Sequence, residues 1–340
     1  MWLISTGVRS LFARPDWLTR ATRFVRSPGR LAKERNHVHI QAPAVGIELD
    51  GHAVARLTLS RSRSCSLRAS LDCSIARSLD RSFTRHHSEI HVPFDKEPHY
   101  FSSCRFGAPA CKVRGGYENA TDYLVSFLGL NEAAASKVGY AAFDGSVDYA
   151  QKGRWLAPIL AKLFPFLRLV FVFREKVGRS MSYKNMLAEK YDRGCHDDIA
   201  KCLSASMNAW GSYADSTRAW FDAFPASQVH AVQFEELVED PEGVLRRLKE
   251  FLGLDPDLPR RDLSNTNRRA SSSGWQIPRR DYEKLVAIAK EDQDGLLAVL
   301  DEHTDIDTEA WGRRWEALWQ RNLATCEGGA DAICTVASSL

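Results

Sequence analysis

Leu167-Arg168-Leu169-Val170-Phe171-Val172-Phe173 runs without a break into Arg174-Glu175-Lys176-Val177-Gly178-Arg179-Ser180-Met181-Ser182-Tyr183. The first seven residues are nearly continuously β-branched, aliphatic or aromatic, the pattern of a strand buried on both faces and therefore of a central strand in a parallel sheet. On its N-terminal side, Trp155 to Phe164 keeps a helical period until Pro165 interrupts it. On its C-terminal side, Gly178 to Lys190 reads as helix, and Cys202 to Phe224 reads as one long amphipathic helix. Gln228 to Phe234 then alternates as a second strand. Asp240-Pro241-Glu242 opens a further helix, with Asp as cap and Pro in the first turn, running through Val244, Leu245, Leu248 and Phe251 to a stop at Gly253. Tyr117 to Leu130 and Asp281 to Leu323 are also predicted helical. Helix, strand, helix, strand, helix predicts an α/β fold, a central parallel sheet flanked by helices and closed by crossover connections.

The 340 residues allow one large domain or two ordinary ones, and 44% apolar with 26% charged residues excludes a disordered, collagen-like or disulfide-scaffold chain. The net charge of +3 conceals an asymmetry: residues 1–90 hold 15 Lys and Arg against 7 Asp and Glu, and residues 91–340 hold 31 against 36. Residues 1–85 are predicted to be a poorly ordered, Arg/Ser-rich basic arm, 86–325 the folded domain, and 326–340 a frayed tail. A basic arm can track a nucleic-acid backbone, but this one lacks interleaved aromatics and any reading module, so no nucleic-acid partner is expected. The first 35 residues are Arg-rich with only Asp16 and Glu34 as acids, a composition resembling an organellar transit peptide. The most apolar stretch, Leu156 to Phe173, is broken by Pro158, Lys162, Pro165 and Arg168, so no membrane span is expected. Eight cysteines form no C-x-x-C pair, which argues against structural zinc, and no metal is expected. Cys195 and Cys202 would stand about 10 Å apart on one straight helix, too far for a disulfide, whereas Cys104 and Cys111 could close a loop.

Ligands of open parallel sheets bind beyond the carboxyl ends of the strands, which directs attention to the residues after Phe173. Arg174 leaves the strand tip, and Arg179 and Ser182, three apart on the next helix, share one face. Two guanidiniums and a hydroxyl near a helix N-terminus suit a phosphate dianion, because the planar forks and the helix dipole both favour it. A solvated basic helix start would carry the same residues.

Arg at the strand tip, Arg at +5 and Ser at +8 resemble the 3′-phosphate-binding motif of sulfotransferases that use 3′-phosphoadenosine 5′-phosphosulfate. Lys96-Glu97-Pro98-His99-Tyr100-Phe101 resembles the Lys-Glu-x-His-Phe-Phe element of the heparan-sulfate and related carbohydrate sulfotransferases. Asp144-Gly145-Ser146-Val147-Asp148-Tyr149 stands where that family has a Ser-Pro-x-Tyr turn, and Phe234-Glu235-Glu236-Leu237 and Phe251-Leu252-Gly253-Leu254 follow in the family's order. The resemblance covers about residues 86–323. It implies the P-loop-like nucleotide-binding sulfotransferase fold, that sulfonucleotide as co-substrate, a carbohydrate acceptor hydroxyl or amine, and a Golgi location. It also implies Glu97 as general base, His99 as its proton-sharing neighbour, Lys96 as cationic stabiliser, and Arg174, Arg179 and Ser182 as nucleotide ligands. Arg268 and Arg269 stand where relatives carry a basic loop over the nucleotide, although a solvated turn reads equally well.

Two departures qualify the resemblance. Relatives carry, about 20 residues before the Lys-Glu-x-His element, a strand ending in a Lys-x-Gly-Thr-Thr loop whose amides and lysine cradle the 5′-phosphosulfate. Here Cys73-Ser74-Ile75-Ala76-Arg77-Ser78-Leu79 stands instead, and the basic, Gly-rich Lys112 to Gly116 comes too late in the chain. Residues 1 to about 77 therefore read as something other than the family's usual start. Glu175-Lys176 also replaces the usual Asp/Asn-Pro, which is expected to loosen the turn after Arg174. The alternatives are a catalytically impaired homologue that retains 3′-phosphate nucleotide binding, and a basic-arm nucleic-acid binder. Loss of one preorganised donor typically costs about 10²–10³ in rate, so this 340-residue chain is expected to turn over labelled sulfonucleotide slowly or not at all. Robust turnover would refute that expectation.

Overall fold

The computed structural model describes residues 2–6, 90–91, 97–103, 123, 141–192, 194–195, 198–257, 274–329 and 332–337. The expected helix at 117–130 (apart from Tyr123), the basic arm beyond residue 6, the Cys104/Cys111 pair and the 112–116 segment lie outside the described residues.

In chain order the elements are β1 (Trp2–Thr6), β2 (Ile90–His91), the short α1 (Tyr100–Ser103) and β3 (Ala141–Asp144). A 3-10 turn (Val147–Lys152), α2 (Gly153–Leu163), β4 (Leu167–Phe173), α3 (Lys176–Tyr191), α4 (Ile199–Ala209) and α5 (Tyr213–Phe221) follow. The remainder is β5 (Val229–Gln233), α6 (Phe234–Glu239), α7 (Pro241–Leu252), β6 (Trp275–Pro278), α8 (Arg279–His303), α9 (Thr308–Ala324) and β7 (Ile333–Val336). Five strands form one sheet in the order β2-β3-β1-β4-β5, and β6 pairs antiparallel with β7 in a second.

The seven-residue run is β4, and its continuous hydrophobicity has a direct cause. Leu169, Phe171 and Phe173 face a core built with α2, α3, α5, α8 and α9, while Val170 faces Leu237, Val244, Leu245, Leu248 and Leu252 of α6 and α7. Both faces are largely covered, and the one charged side chain of the strand, Arg168, is half-buried with its guanidinium 5.4 Å from the Phe251 ring centre. β4 pairs parallel with β5, Leu169 opposite Val229 through Phe173 opposite Gln233.

The sheet differs from the expected all-parallel one at its centre. β1 is antiparallel both to β3 (Leu3 opposite Asp144) and to β4 (Leu3 opposite Leu169), so β3 and β4 run the same way with an opposed strand between them. Residues 2–6 thus belong to the folded sheet rather than to a poorly ordered arm, because their backbone ladders complete both neighbours.

Three further expectations are corrected. The single helix predicted from Cys202 to Phe224 is two, α4 and α5, broken where Gly211 takes φ +68° and Ser212 caps α5 by accepting from Asp215 N at 3.1 Å. Because α4 starts at Ile199, Cys195 lies outside it, and the chain turns back to bring the two Cα atoms to 5.7 Å in a Cys195–Cys202 disulfide. Within the segment expected to be a frayed tail, the described residues are ordered: β7 pairs with β6 from Trp275 opposite Val336 to Pro278 opposite Ile333, and a Cys326–Cys334 disulfide joins them to the end of α9.

Trp220 on α5 is fully buried, and its Nε1 donates to Ala150 O at 3.1 Å. Its ring lies so close to Gly153 that a Cβ there would meet Trp220 at 2.9 Å and Ser216 O at 2.8 Å, which explains a glycine at the first position of α2. Trp220→Ala is expected to lower unfolding stability by about 3–5 kcal/mol, measured as a shifted denaturant midpoint, whereas Val238→Ala at an exposed site should stay within about 0.5 kcal/mol.

Candidate active site

Because β3, β4 and β5 are parallel, Asp144, Phe173 and Gln233 end at the same edge of the sheet. Residues just past those ends build two adjoining networks.

The first lies beyond β3. Asp144 is fully buried and accepts from Tyr123 Oη (2.5 Å), Tyr149 Oη (2.7 Å), Ser146 N (2.9 Å) and Ser146 Oγ (2.6 Å). Burial nevertheless raises its pKa, the four hydrogen bonds opposing. Ser146 Oγ also accepts from His99 N at 2.8 Å. His99 holds a left-handed backbone, φ +54°, which costs a non-glycine residue roughly 1–3 kcal/mol and persists only where surroundings over-determine it. Here its amide is held by Ser146 and its ring by Asp148, Nδ1 to Oδ1 at 2.8 Å. The other oxygen of Asp148 takes Lys152 Nζ at 2.7 Å. The His99 Nε2 atom stands 3.6 Å from Glu97 Oε2, an electrostatic contact rather than a hydrogen bond. Burial works to lower the His99 pKa, but the Asp148 hydrogen bond and the charges of Asp148, Glu97 and Asp144 outweigh it and raise the value. Burial would likewise raise Asp148, but His99 and Lys152 hold it well below the usual carboxylate range.

The second network lies beyond β4 and β5. Arg174 is buried and its guanidinium sits 4.6 Å from the Phe234 ring centre. Arg179, in the first turns of α3, is 6% exposed and sits 4.7 Å from the Tyr213 ring and 5.3 Å from Trp210. Its Nε and Nη2 have no hydrogen-bond partner among the described residues. The two arginines lean on different rings and are joined through Tyr213, whose hydroxyl donates to Arg174 O at 3.2 Å. Ser182 lies one turn beyond Arg179 on the same helix. Lys96, Arg268 and Arg269 lie outside the described residues.

Glu175 overturns the expected loosening of this turn. Its carboxylate caps α3, accepting from Val177 N (2.8 Å) and Gly178 N (2.5 Å), and also from Trp319 Nε1 at 2.9 Å. Glu235 accepts from Glu175 N (3.0 Å) and Trp315 Nε1 (3.0 Å). Burial raises the pKa of both carboxyls. The positive end of α3 is thus already met by Glu175, which takes its first amides. Lys176 pairs with Asp292 at 2.7 Å, both nearly buried, and Asp292 also accepts from Tyr213 N.

Sequence reading gave no site role to Asp148, Glu175 or Glu235, which it met only within motifs, and did not single out Trp315 or Trp319. The spacing of Asp148 and Lys152 at i and i+4 in the 3-10 turn, and the glutamates within two residues of two strand ends, were the available signals.

The fold and its sheet edge define an α/β protein with two buried arginines and a carboxylate–histidine group. Residues 147–257 match the Sulfotransferase family. Mouse heparan sulfate glucosamine 3-O-sulfotransferases 3B1 and 3A1 are each 34% identical over 96 residues, 26% of this chain, and the matched stretch spans about a quarter of each relative. A crystal structure of a sulfotransferase from Alicyclobacillus acidocaldarius superposes with a TM-score of 0.51 at 24% identity, covering 71% of this chain and 95% of that one. The chain has a sulfotransferase-like fold and resembles the Sulfotransferase family over residues 147–257.

The pH consequences follow from the two shifts. The raised His99 contributes stability that is complete below about pH 6.5 and is lost as pH climbs through its folded midpoint. The depressed Asp148 contributes stability present above about pH 3.9 and lost on further acidification. Imidazole NMR is expected to show a His99 midpoint above about 6.5, falling below it in Asp148→Asn as burial then dominates. An unchanged midpoint would remove Asp148 as its cause.

Proposed function

We propose that this chain binds 3′-phosphoadenosine 5′-phosphosulfate and transfers its sulfuryl group, slowly, to a carbohydrate hydroxyl or amine. The observation that carries this reading is the shared edge: His99, held by Ser146 just past β3, and Arg174, Arg179 and Ser182, just past β4, lie at the same carboxyl edge of one sheet.

The residues fit one half of the sulfonucleotide. Arg179 keeps buried N–H groups unspent among the described residues, which suits a 3′-phosphate. Ser182 adds a hydroxyl on the same helix, and Trp275 Nε1, donating to Asn185 Oδ1 at 3.0 Å, ties the chain just after the Arg268-Arg269 segment to α3. The fit at the 5′ end is poor. β1 fills the central slot between β3 and β4 but begins at the carboxyl edge, so it supplies no strand-to-helix loop there. The first amides of α3 are spent on Glu175.

Sulfuryl transfer resembles phosphoryl transfer in needing an aligned nucleophile and charge stabilisation on the leaving oxygen. Glu97 takes the acceptor proton as the acceptor oxygen bonds to sulfur and the sulfur–oxygen bond to the nucleotide phosphate breaks. His99, fixed through Nδ1 by Asp148, presents Nε2 to Glu97 and stabilises that carboxylate or shares its proton. Lys96, next to Glu97 in the chain, is the cation assigned to the leaving charge. A carbohydrate acceptor rests on the similarity to the mouse heparan sulfate glucosamine 3-O-sulfotransferases. Two disulfides, Cys195–Cys202 and Cys326–Cys334, favour an oxidising lumen such as the Golgi. Among the described residues no helix is long and apolar enough to cross a membrane.

The second reading, a homologue that retains nucleotide binding alone, is favoured by the antiparallel β1. Calorimetry and turnover separate the two. Glu97→Gln is expected to lower any turnover by about 10²–10⁴ with adenosine 3′,5′-bisphosphate affinity intact, whereas Arg174→Ala or Arg179→Ala should weaken that affinity at least tenfold, about 1.4 kcal/mol. Equal loss of binding and rate in Glu97→Gln would make Glu97 structural. Absence of nucleotide binding in the unmodified chain would overturn both readings.

A further inference from the structure

Lys152 closes the 3-10 turn after β3, and its ammonium turns back rather than out. Nζ donates to Asp148 Oδ2 at 2.7 Å and to Ser102 O at 3.4 Å, joining the turn to α1 across 50 residues of chain. An ion pair at i and i+4 on an open surface contributes little, because solvent screens it and both side chains lose freedom. This pair is drawn in: the Asp148 side chain is 17% exposed and that of Lys152 31%. It also has a third party, since the other oxygen of Asp148 holds His99 Nδ1 at 2.8 Å.

A carboxylate held at one oxygen can turn about its last bond and present either oxygen, or neither, to a neighbour. Held at both, it keeps its plane, and Oδ1 stays on Nδ1. Ser102 adds a side-chain hydrogen bond to Asp148, and its hydroxyl also donates to His99 O at 3.4 Å. The charged groups facing the imidazole are Asp148, Glu97 at 3.6 Å from Nε2 and, through its charge, the buried Asp144. Lys152 makes no hydrogen bond to the ring among the described residues, so it acts there through Asp148. Which ring nitrogen carries the proton is set by the partner of the other. An acceptor oxygen fixed on Nδ1 keeps the proton there in neutral His99 and leaves a lone pair on Nε2 toward Glu97. A proton that Glu97 takes from an acceptor hydroxyl then has a place to go, and Asp148 meets the imidazolium that results. In the other tautomer Nε2–H points at Glu97 and cannot accept.

We propose that Lys152 is a positioning residue for the acceptor side of the reaction: through Asp148 it fixes the His99 ring and tautomer, so that Nε2 can take the proton from Glu97. The assignment rests on the sulfuryl-transfer reading for its consequence in turnover, and on the contacts of Lys152, Asp148 and His99 for the tautomer.

The test follows the His99 ring nitrogens of the full ¹⁵N-labelled chain by NMR, at a pH above the His99 midpoint where the neutral form is present. The indole signal of Trp220, bonded to Ala150 O, checks that the neighbouring fold is kept. The unmodified chain is expected to show the Nδ1–H tautomer. Lys152→Met, which keeps the stem and removes the charge, is expected to shift the ratio toward Nε2–H roughly threefold or more, and Lys152→Arg to restore it. Where turnover is measured, kcat should fall with the tautomer while adenosine 3′,5′-bisphosphate affinity is unchanged. Nε2–H as the major tautomer of the unmodified chain overturns the proposal without any variant. An unchanged tautomer in a folded Lys152→Met overturns it too, as does a raised His99 midpoint with the tautomer retained, which would make Lys152 a counter-charge only. Nucleotide affinity of the unmodified chain, taken by calorimetry alongside, reports on the sulfuryl-transfer reading by itself.

Discussion

A carboxylate removed from water must find hydrogen-bond donors, and at the carboxyl edge of this sheet Glu175 finds four-way support from the fold itself. Its oxygens take the first amides of α3 and the Trp319 indole, and its own amide is held by Glu235, which in turn takes the Trp315 indole. One pair of buried carboxyls thereby fixes where α3 starts, where α6 starts and how α9 lies across both. Arg174 emerges between them with its backbone carbonyl held by Tyr213. Removing a partner from such an arrangement leaves a charge uncompensated in a low dielectric, typically worse than never having buried it.

The same logic governs the β3 side. Asp144 is satisfied by two tyrosines and Ser146, and Ser146 passes the order on to His99 by accepting its amide. The left-handed backbone of His99 is the visible strain in that region, and it aims Nε2 toward Glu97 while Asp148 fixes Nδ1. Rigidity of this kind costs local stability and is recovered by the fully buried Tyr149 and Leu156 beneath it. Between the two networks runs β1, opposed to its neighbours, which completes the backbone ladders of β3 and β4 without adding a phosphate-cradling turn at the edge.

Much of the scaffold was legible because its signals are local or periodic. β4, β5, α2, α3 and α7 fall within a few residues of their predicted limits, since a strand covered on both faces is hydrophobic nearly throughout and Asp-Pro-Glu caps a helix wherever it lies. The C-terminal helical stretch was legible as a type, though not as the two helices α8 and α9. The break at Gly211 was missed for a related reason: the amphipathic period runs on across it, and only the positive φ, with Lys176 donating to Gly211 O at 3.3 Å, reveals the turn.

By itself the sequence determined the α/β class, the strand that leads into Arg174, and the Glu97–His99 and Arg174–Arg179–Ser182 constellations as candidates. Tertiary structure alone decided that Glu175 caps rather than loosens its turn, that Asp148 and not a nearer residue orients His99, and that β7 and the Cys326–Cys334 bond close the C-terminal segment. It alone decided that residues 2–6 occupy the middle of the sheet. The physical reason is shared by the His99–Asp148 and Trp319–Glu175 hydrogen bonds and the β1 and β7 ladders: contacts between residues far apart in the chain depend on where folding brings their backbones, and no local period or spacing records that position.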